Sequence, residues 1–220
     1  TCGDYKIHTF TSSGSLVVTQ GAVSGNNKVS YIVVAGGGGA GSNHGGGGGA
    51  GGFREGKLSS DPYTASPLAA TPCSALSVTS QSYPITVGAG GNGATVPTPY
   101  AGATNGSDSV FSTITSTGGG RGGTRHDGAN SGYHNGSPGG SGGGTGGENG
   151  GASAGSGNDP SVSPPQGNGG GAWSPPYWGG GGGGATAAGS PGTGAAGGNG
   201  AGTGINPASP VGTPGPSGPL

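Results

Sequence analysis

The sequence predicts a mostly β protein, in which a small antiparallel, β-sandwich-like N-terminal part continues into a bundle of left-handed polyglycine II helices, with essentially no α-helix. Three observations lead to this fold class. Short runs of β-branched and aromatic residues are separated by turn residues in the first half of the chain, which is typical of strands. Glycine supplies 63 of the 220 residues, much of it in uninterrupted tracts. No stretch repeats its apolar residues at the 3.6-residue period of an amphipathic helix.

The predicted strands lie at 5–10, 15–19, 29–35, 83–87 and 109–115. Turn residues separate the first two, and β-branched residues dominate the third. The last three each run directly into a glycine tract, which begins at Gly36, Gly88 or Gly118. We therefore expect each of these three strands to feed a glycine tract.

Composition divides the chain into three predicted parts. The first, 1–117, is rich in β-strands, carries the first glycine tracts and contains an insert at 55–82. The second, 118–204, is the polyglycine II bundle with its display loops. The third, 205–220, is a linker of proline and glycine that ends in three Gly-X-Y triplets, the pattern of a collagen-like stalk formed by three chains.

Two cysteines, Cys2 and Cys73, are present in the whole chain. Two cysteines alone establish neither an oxidising compartment nor a metal site. A disulfide between them and two free thiols both stay open.

The glycine tracts are predicted to be rods, because a polyproline-II-like helix has three residues per turn and directs its backbone groups outward. A rod enclosed by other rods needs glycine on every face, whereas an outer rod needs small residues on two faces only. Small residues recur every third position from 189 to 204, which predicts an outer rod, and between 36 and 53 the larger residues share one face. The predicted interior rod has only glycines, namely Gly179, Gly180, Gly181, Gly182, Gly183 and Gly184.

Loops at 125–138, 158–168 and 172–178 join the predicted rods. The last loop holds both tryptophans of the chain and a tyrosine beside two prolines, which makes a stiff aromatic display. Aromatic rings serve recognition and burial alike, so this loop either contacts a receptor or caps the bundle as an apolar plug. The candidate receptor-binding residues are Arg125, His126, Tyr133, His134, Asn135, Trp173, Pro175, Pro176, Tyr177 and Trp178.

Charge and hydropathy argue against two classes of partner. Only 6% of the residues are charged, and six basic residues stand against seven acidic ones. This balance leaves no basic surface for nucleic acid or for an anionic membrane. The longest apolar run, 31–35, is too short to span a bilayer. We expect neither nucleic-acid binding nor membrane insertion.

The sequence offers no convergent acid, base and nucleophile. Residues 51–57 partly resemble a phosphate-binding loop, but Leu58 stands where Ser or Thr must hold magnesium. The loop residues His126, His134 and Glu148 match no metal-ligand spacing. We therefore expect a protein that is not an enzyme and has no catalytic residue, no metal and no cofactor.

Five motifs follow one another along the chain, at 5–14 (Tyr-x-x-x-x-Phe-Thr-x-Ser-Gly), 31–39, 45–53, 83–91 and 105–111. Their order resembles the glycine-rich domain of bacteriophage tail and virion proteins. More loosely, the second half is similar to the tip adhesins of T-even long tail fibres, in which polyglycine II rods pack side by side and their connecting loops touch the host receptor.

The resemblance implies a non-enzymatic virion or tail-fibre protein at the virion surface or elsewhere outside the cell. Its expected partners are a bacterial surface receptor, which is a glycan or an outer-membrane protein, and other virion proteins. It is also expected to form a homo-oligomer, and the C-terminal triplets favour a trimer. A purely structural subunit of a virion fibre or other extracellular filament is the alternative, and an ice-binding or matrix protein built from the same rods is a third.

Overall fold

The computed structural model describes residues 5–21, 27–70, 74–95, 102–125, 133–147 and 151–206. Within these ranges the chain forms nine strands and no α-helix, which confirms the predicted mostly β fold class. The strands are β1 (Gly14–Val18), β2 (Lys28–Val29), β3 (Tyr31–Val34), β4 (Phe53–Gly56), β5 (Ala69–Ala70), β6 (Leu76–Ser77), β7 (Gln81–Thr86), β8 (Ser109–Phe111) and β9 (Ile114–Ser116).

The strands form three small sheets. The largest is antiparallel throughout and has the order β1-β7-β8-β9. In the second, β3 pairs antiparallel with β4, and β4 pairs parallel with β5. Strands β2 and β6 make a short antiparallel ladder. The antiparallel sheets agree with the architecture predicted from the sequence.

The apolar core lies where β3 packs against β8 and β9. Tyr31 and Val33 point inward from β3, whereas Val34 points outward and is 52% exposed, as the two-residue period of a strand requires. Phe111 lies between Tyr31 and Tyr83, with its ring centroid 6.3 Å from each and in edge-to-face geometry. The β part is therefore held together by interlocking aromatic side chains.

Two strand predictions are wrong. The strand predicted over 109–115 is a hairpin, because Ser112 has a φ of 54° in the left-handed region and turns the chain between β8 and β9. The strand predicted over 5–10 is absent from 6–10, although its residues alternate. Strands β4, β5 and β6 were not predicted, since two to four residues are too few to show a period.

The glycine tracts continue the strands. Tract 35–41 follows β3, tract 45–52 leads into β4, and the antiparallel pairing of the two strands carries on between the tracts. Backbone N–H groups three residues apart donate to carbonyls three residues apart over 2.9–3.1 Å. The donors are Ala35, Gly38 and Gly41, and the acceptors are Gly52, Gly49 and Gly46.

Each tract contacts several others with a period of three residues. In tract 35–41, the N–H groups of Gly36 and Gly39 donate to tract 102–108. The next carbonyls along, those of Gly37 and Ala40, accept from tract 88–94. In a strand, successive residues point to opposite faces, so each face recurs every second residue. A three-residue period therefore distinguishes the tracts from the sheets. We call the hydrogen-bonded set of tracts the glycine array.

The predicted interior segment, 179–184, lies inside the glycine array. Its N–H groups donate to two other tracts, for example from Gly180 to Thr145 (2.9 Å) and from Gly181 to Ser190 (2.9 Å). A Cβ built on any of these six glycines would lie no more than 2.6 Å from a backbone atom of another tract. No side chain therefore fits at any of the six positions without moving a neighbouring tract.

Turns interrupt two tracts that the sequence predicts to be unbroken. Gly192 and Gly194 have φ values of 55° and 74°, so the predicted outer rod 189–204 reverses there. Asn43 and His44 have φ values of 51° and 57° and turn the tract predicted between 36 and 53. These left-handed residues send the chain back antiparallel to itself. The recurrence of small residues at every third position does not reveal such a turn.

Gln166 joins the glycine array to the β part. Its side chain is fully buried, and its Oε1 accepts from the N–H of Thr117 (2.9 Å). Its Nε2 donates to the carbonyl of Pro160 (3.1 Å), and its own carbonyl accepts from the N–H of Phe53 (2.8 Å). These bonds hold the predicted loop 158–168 beside β4 and β9.

The first glycine tracts share one array with the later ones, since the N–H of Gly47 donates to the carbonyl of Gly180 (2.9 Å). The boundary predicted between 117 and 118 stays a prediction. Cys2, Cys73, His126 and 207–220 lie outside the described residues, and with them the disulfide and the Gly-X-Y triplets.

Candidate functional site

Several connections meet at the end of the glycine array that is remote from the strands. Tracts 35–41, 117–125, 139–147 and 166–172 run parallel, because their backbone bonds advance in the same direction along each pair. At the ends of two of these tracts, the N–H of Gly147 donates to the carbonyl of His44 (2.8 Å), and that of Arg125 donates to the carbonyl of Ser42 (3.3 Å). We call this end the tip, and its residues are 42–44, Arg125, 133–135 and 172–178.

The aromatic loop of the tip is closed on itself. Ser174 and Trp178 exchange two backbone hydrogen bonds of 2.9 and 3.0 Å. Pro175 and Pro176 lie exposed between them and restrict the backbone, since each proline ring fixes its φ. Tyr177 is 44% exposed, Trp178 is 47% exposed, and Trp173 is half-buried. The loop therefore presents two rings from a constrained backbone.

His44 lies beside the two exposed rings. It belongs to the turn 42–44, where Asn43 and His44 are in the left-handed conformation that Asn and His tolerate better than most residues. Its ring centroid is 6.1 Å from that of Tyr177 and 6.4 Å from that of Trp178. Because the turn connects two tracts of the array, the array fixes the position of the imidazole against the aromatic loop.

Two arginines lie over tyrosine rings. The guanidinium of Arg125 is 5.2 Å from the ring centroid of Tyr177, and that of Arg121 is 6.0 Å from the ring centroid of Tyr133. Contacts of this kind are worth roughly 0.5–1 kcal/mol at exposed sites. Tyr133 is 43% exposed. The contacts hold two of the exposed tip rings in place.

His134 and Asn135 differ in their surroundings. Asn135 is exposed, and its Oδ1 accepts from the N–H of Ser153 (2.8 Å). His134 is only 3% exposed, and neither of its ring nitrogens has a hydrogen-bond partner among the described residues. His134 is therefore placed to pack inside the tip rather than to touch a ligand.

The structure thus brings together three of the candidate residues: Tyr177 and Trp178 lie beside His44, and Arg125 lies over the ring of Tyr177. Sequence reasoning missed His44 because the residue was placed within an unbroken tract. A signal was present, since Ser42-Asn43-His44 is a polar interruption between two nearly pure glycine runs. Such an interruption indicates a turn more directly than the spacing of small residues at every third position does.

The described residues contain no group of three or more His, Cys, Asp or Glu side chains arranged to hold a metal ion. Among these residues, too, no helix has the length and apolar character needed to cross a membrane. What the tip offers is half-exposed rings, a guanidinium and an imidazole. These groups are suited to stacking and hydrogen bonding with a ligand.

Small sheets whose strands run on into a hydrogen-bonded glycine array define a glycine-rich β protein. The family comparison agrees, because the glycine-rich domain family matches residues 11–219. The chain therefore belongs to this family. Neither the curated proteins nor the solved structures contained a match.

Proposed function

We propose that this chain is a non-enzymatic virion protein of a bacteriophage, located in a tail fibre at the virion surface, and that its tip binds a receptor on the host bacterium. The order of its sequence motifs and its membership of the glycine-rich family support a protein of this kind. The observation that carries the binding role is the arrangement of the tip, where His44 lies beside the rings of Tyr177 and Trp178, and Arg125 lies over the ring of Tyr177.

We further propose that the tracts of the glycine array are polyglycine II rods. The three-residue period of their hydrogen bonds supports this conformation. So does the contact of 179–184 with other tracts on every side, which leaves no room for a Cβ. In this proposal the array is a rigid platform, and its connecting turns carry the recognition residues.

A rigid platform favours binding because fewer rotatable groups have to be ordered when a ligand arrives. The backbone of 174–178 is already closed, and the ring of Tyr177 is already held by Arg125. Exposed aromatic rings suit the apolar faces of sugars and the loops of surface proteins. The proposed partner is accordingly a glycan or an outer-membrane protein, and the proposed binding needs no cofactor.

The experiment compares Tyr177→Ala and Trp178→Ala with the unchanged chain, in host-cell binding and in thermal melting. We expect binding to fall about tenfold or more, because central aromatic residues dominate interface energies. Melting should stay unchanged, since both side chains are nearly half exposed. The control is Thr115→Ala, which truncates an exposed side chain on β9, away from the tip. Equal binding by all variants would refute the receptor role.

The second candidate is a purely structural subunit of a virion fibre or other extracellular filament. The observation that favours it is a second group of exposed apolar residues at the end of the molecule that carries the strands, which we call the strand end. There Val17 is 62% exposed and Val34 is 52% exposed. In this case Trp173→Ala and Trp178→Ala should prevent assembly, as measured by negative-stain imaging. Normal assembly with lost cell binding would favour the receptor role instead.

A further inference from the structure

Exposed apolar residues are concentrated in two places on the described chain. Tyr133, Tyr177 and Trp178 belong to the tip, whereas Tyr5, Val17 and Val34 lie at the strand end. The latter three line one groove of about 1400 Å³, whose walls also include β1, β3 and the segment 5–10. Core residues, among them Leu16, Val33 and Phe111, reach into the same groove. Apolar side chains therefore lie both at the rim and at the floor of the groove, together with polar ones such as His8, Gln20 and Asn27.

One wall of this groove is the edge strand β1. Its partner β7 lies on one side, and its other side makes no backbone hydrogen bond with any described residue. The strand reads Gly-Ser-Leu-Val-Val and contains neither a charged residue nor a proline. Charged residues and prolines are the usual means by which a protein keeps an edge strand from pairing with another chain.

The course of the chain indicates what covers the groove. Residues 204–206 line it, so the main chain passes along this face before the sequence continues into 207–220. That continuation contains the Gly-X-Y triplets, and a collagen-like triplet repeat is stable only when three chains wind together. Three chains joined there would meet beside their grooves.

We propose that the groove and the outer edge of β1 form an interface between copies of this chain. Val17 and Val34 supply the apolar contact, and β1 supplies backbone groups for pairing. Lys6 and Lys28 also line the groove and are exposed, whereas Asp61 accepts a hydrogen bond from Ser30. The apolar rim matches another apolar rim, which a second copy provides. This interface is independent of the receptor proposed for the tip.

The test measures the mass of the full chain by sedimentation over a range of concentrations, for the unchanged protein, Val17→Lys and Thr115→Lys. The unchanged chain should associate, with a trimer at the highest concentrations. Val17→Lys should weaken association about tenfold or more, since it would bury an unpaired ammonium group. Thr115→Lys should associate normally, because Thr115 is exposed on β9 and outside the groove.

If Val17→Lys lowers the melting temperature, Val34→Lys gives the same test from the facing strand. Hydrogen exchange adds a local readout, since the β1 amides should exchange more slowly in the associated form. The proposal would be overturned if the unchanged chain were a monomer at every concentration, or if Val17→Lys associated as strongly as Thr115→Lys. Lost cell binding by the tip variants bears on the receptor alone.

Discussion

The β part and the glycine array are stabilised in opposite ways. In the β part, side chains fill the space between sheets, with Phe111 packed between Tyr31 and Tyr83. In the array, backbone lies against backbone, and at 179–184 even a methyl group is too large. Stability depends on side-chain volume in the first region and on the absence of a side chain in the second. The same kind of substitution should therefore have opposite consequences in the two regions.

The comparison also explains why the two regions are continuous. Ordering a residue costs roughly 1–2 kcal/mol of backbone entropy, while a hydrogen bond contributes about 0.5–1.5 kcal/mol. In a lone glycine tract, the hydrogen bonds therefore scarcely offset the entropy cost, and the tract gains little net stability. Because strands such as β3 run directly into tracts such as 35–41, the sheets fix one end of the array and set its register.

The largest effect should come from a side chain inside the array. Gly181→Val places a Cβ against the carbonyl of Ala196, and we expect a loss of more than about 4 kcal/mol in the free energy of unfolding. Thermal or denaturant unfolding measures it. The control is Gly200→Val, because a Cβ at Gly200 meets nothing within 4 Å. Similar melting of the two variants would show that close backbone contact is not what stabilises the array.

Removing a side chain should matter most in the β part. Phe111→Ala deletes the central ring of the core, and we expect a loss of about 3–5 kcal/mol in the free energy of unfolding. Thr115→Ala is the control, since Thr115 is exposed and lies outside the proposed interface, and it should change stability by less than about 0.5 kcal/mol. If Phe111→Ala were as mild as its control, the aromatic core would not be what holds the sheets.

A substitution at Gln166, which joins the glycine array to the β part, tests whether the two regions unfold together. Gln166→Leu leaves the N–H of Thr117 without its acceptor, so we expect a loss of about 1–3 kcal/mol. Hydrogen exchange should show faster exchange on both sides of the junction. Exposed Gln20 gives the matched control as Gln20→Leu, with exchange unchanged. Faster exchange confined to 158–168 would instead mean that Gln166 serves its own loop only.

The smallest effect is expected at alkaline pH and is confined to the β part. Burial and the negative charge of Glu55 raise the pKa of Tyr63, and burial raises the pKa of Tyr31. A raised pKa favours the neutral form in the folded state, so stability is present below the unfolded pKa of about 10 and is lost as the pH rises above it. The melting temperature should therefore fall from about pH 10 upward.

Tyr63→Phe should reduce this alkaline loss, because phenylalanine does not ionise. Hydrogen bonds from Thr79, first from its hydroxyl and then from its N–H, lower the pKa of Tyr83 and act in the opposite direction. Tyr63→Phe therefore isolates the contribution of one residue. An identical pH dependence in the variant would show that the ionisation of Tyr63 is not coupled to unfolding.

Much of the fold is predictable from local sequence. The runs around Tyr31 and Tyr83 are strands because β-branched and aromatic residues suit a pleated surface, and the tracts after them are evident from composition. Ser112 and the turn at Gly192 and Gly194 were missed for a common reason. Neither a serine in a β-rich run nor a glycine in a glycine tract shows locally that its φ is positive.

The tip was predictable only in part. The stiff aromatic loop follows from the prolines and rings at 172–178. Its contact with His44 depends on which tracts are neighbours, and glycines carry no side-chain pattern that specifies a partner. The same limitation applies to His134, whose burial depends on tracts distant in sequence.

The continuity of strand and tract has a mechanical consequence. The tracts run along one direction between the strand end and the tip, and their hydrogen bonds cross from tract to tract. A force that pulls the tip away from the strands therefore loads many of these bonds in shear and at the same time, rather than opening them one after another. We expect the molecule to be stiff along this direction and to unfold abruptly once the force exceeds what the whole set of hydrogen bonds can bear.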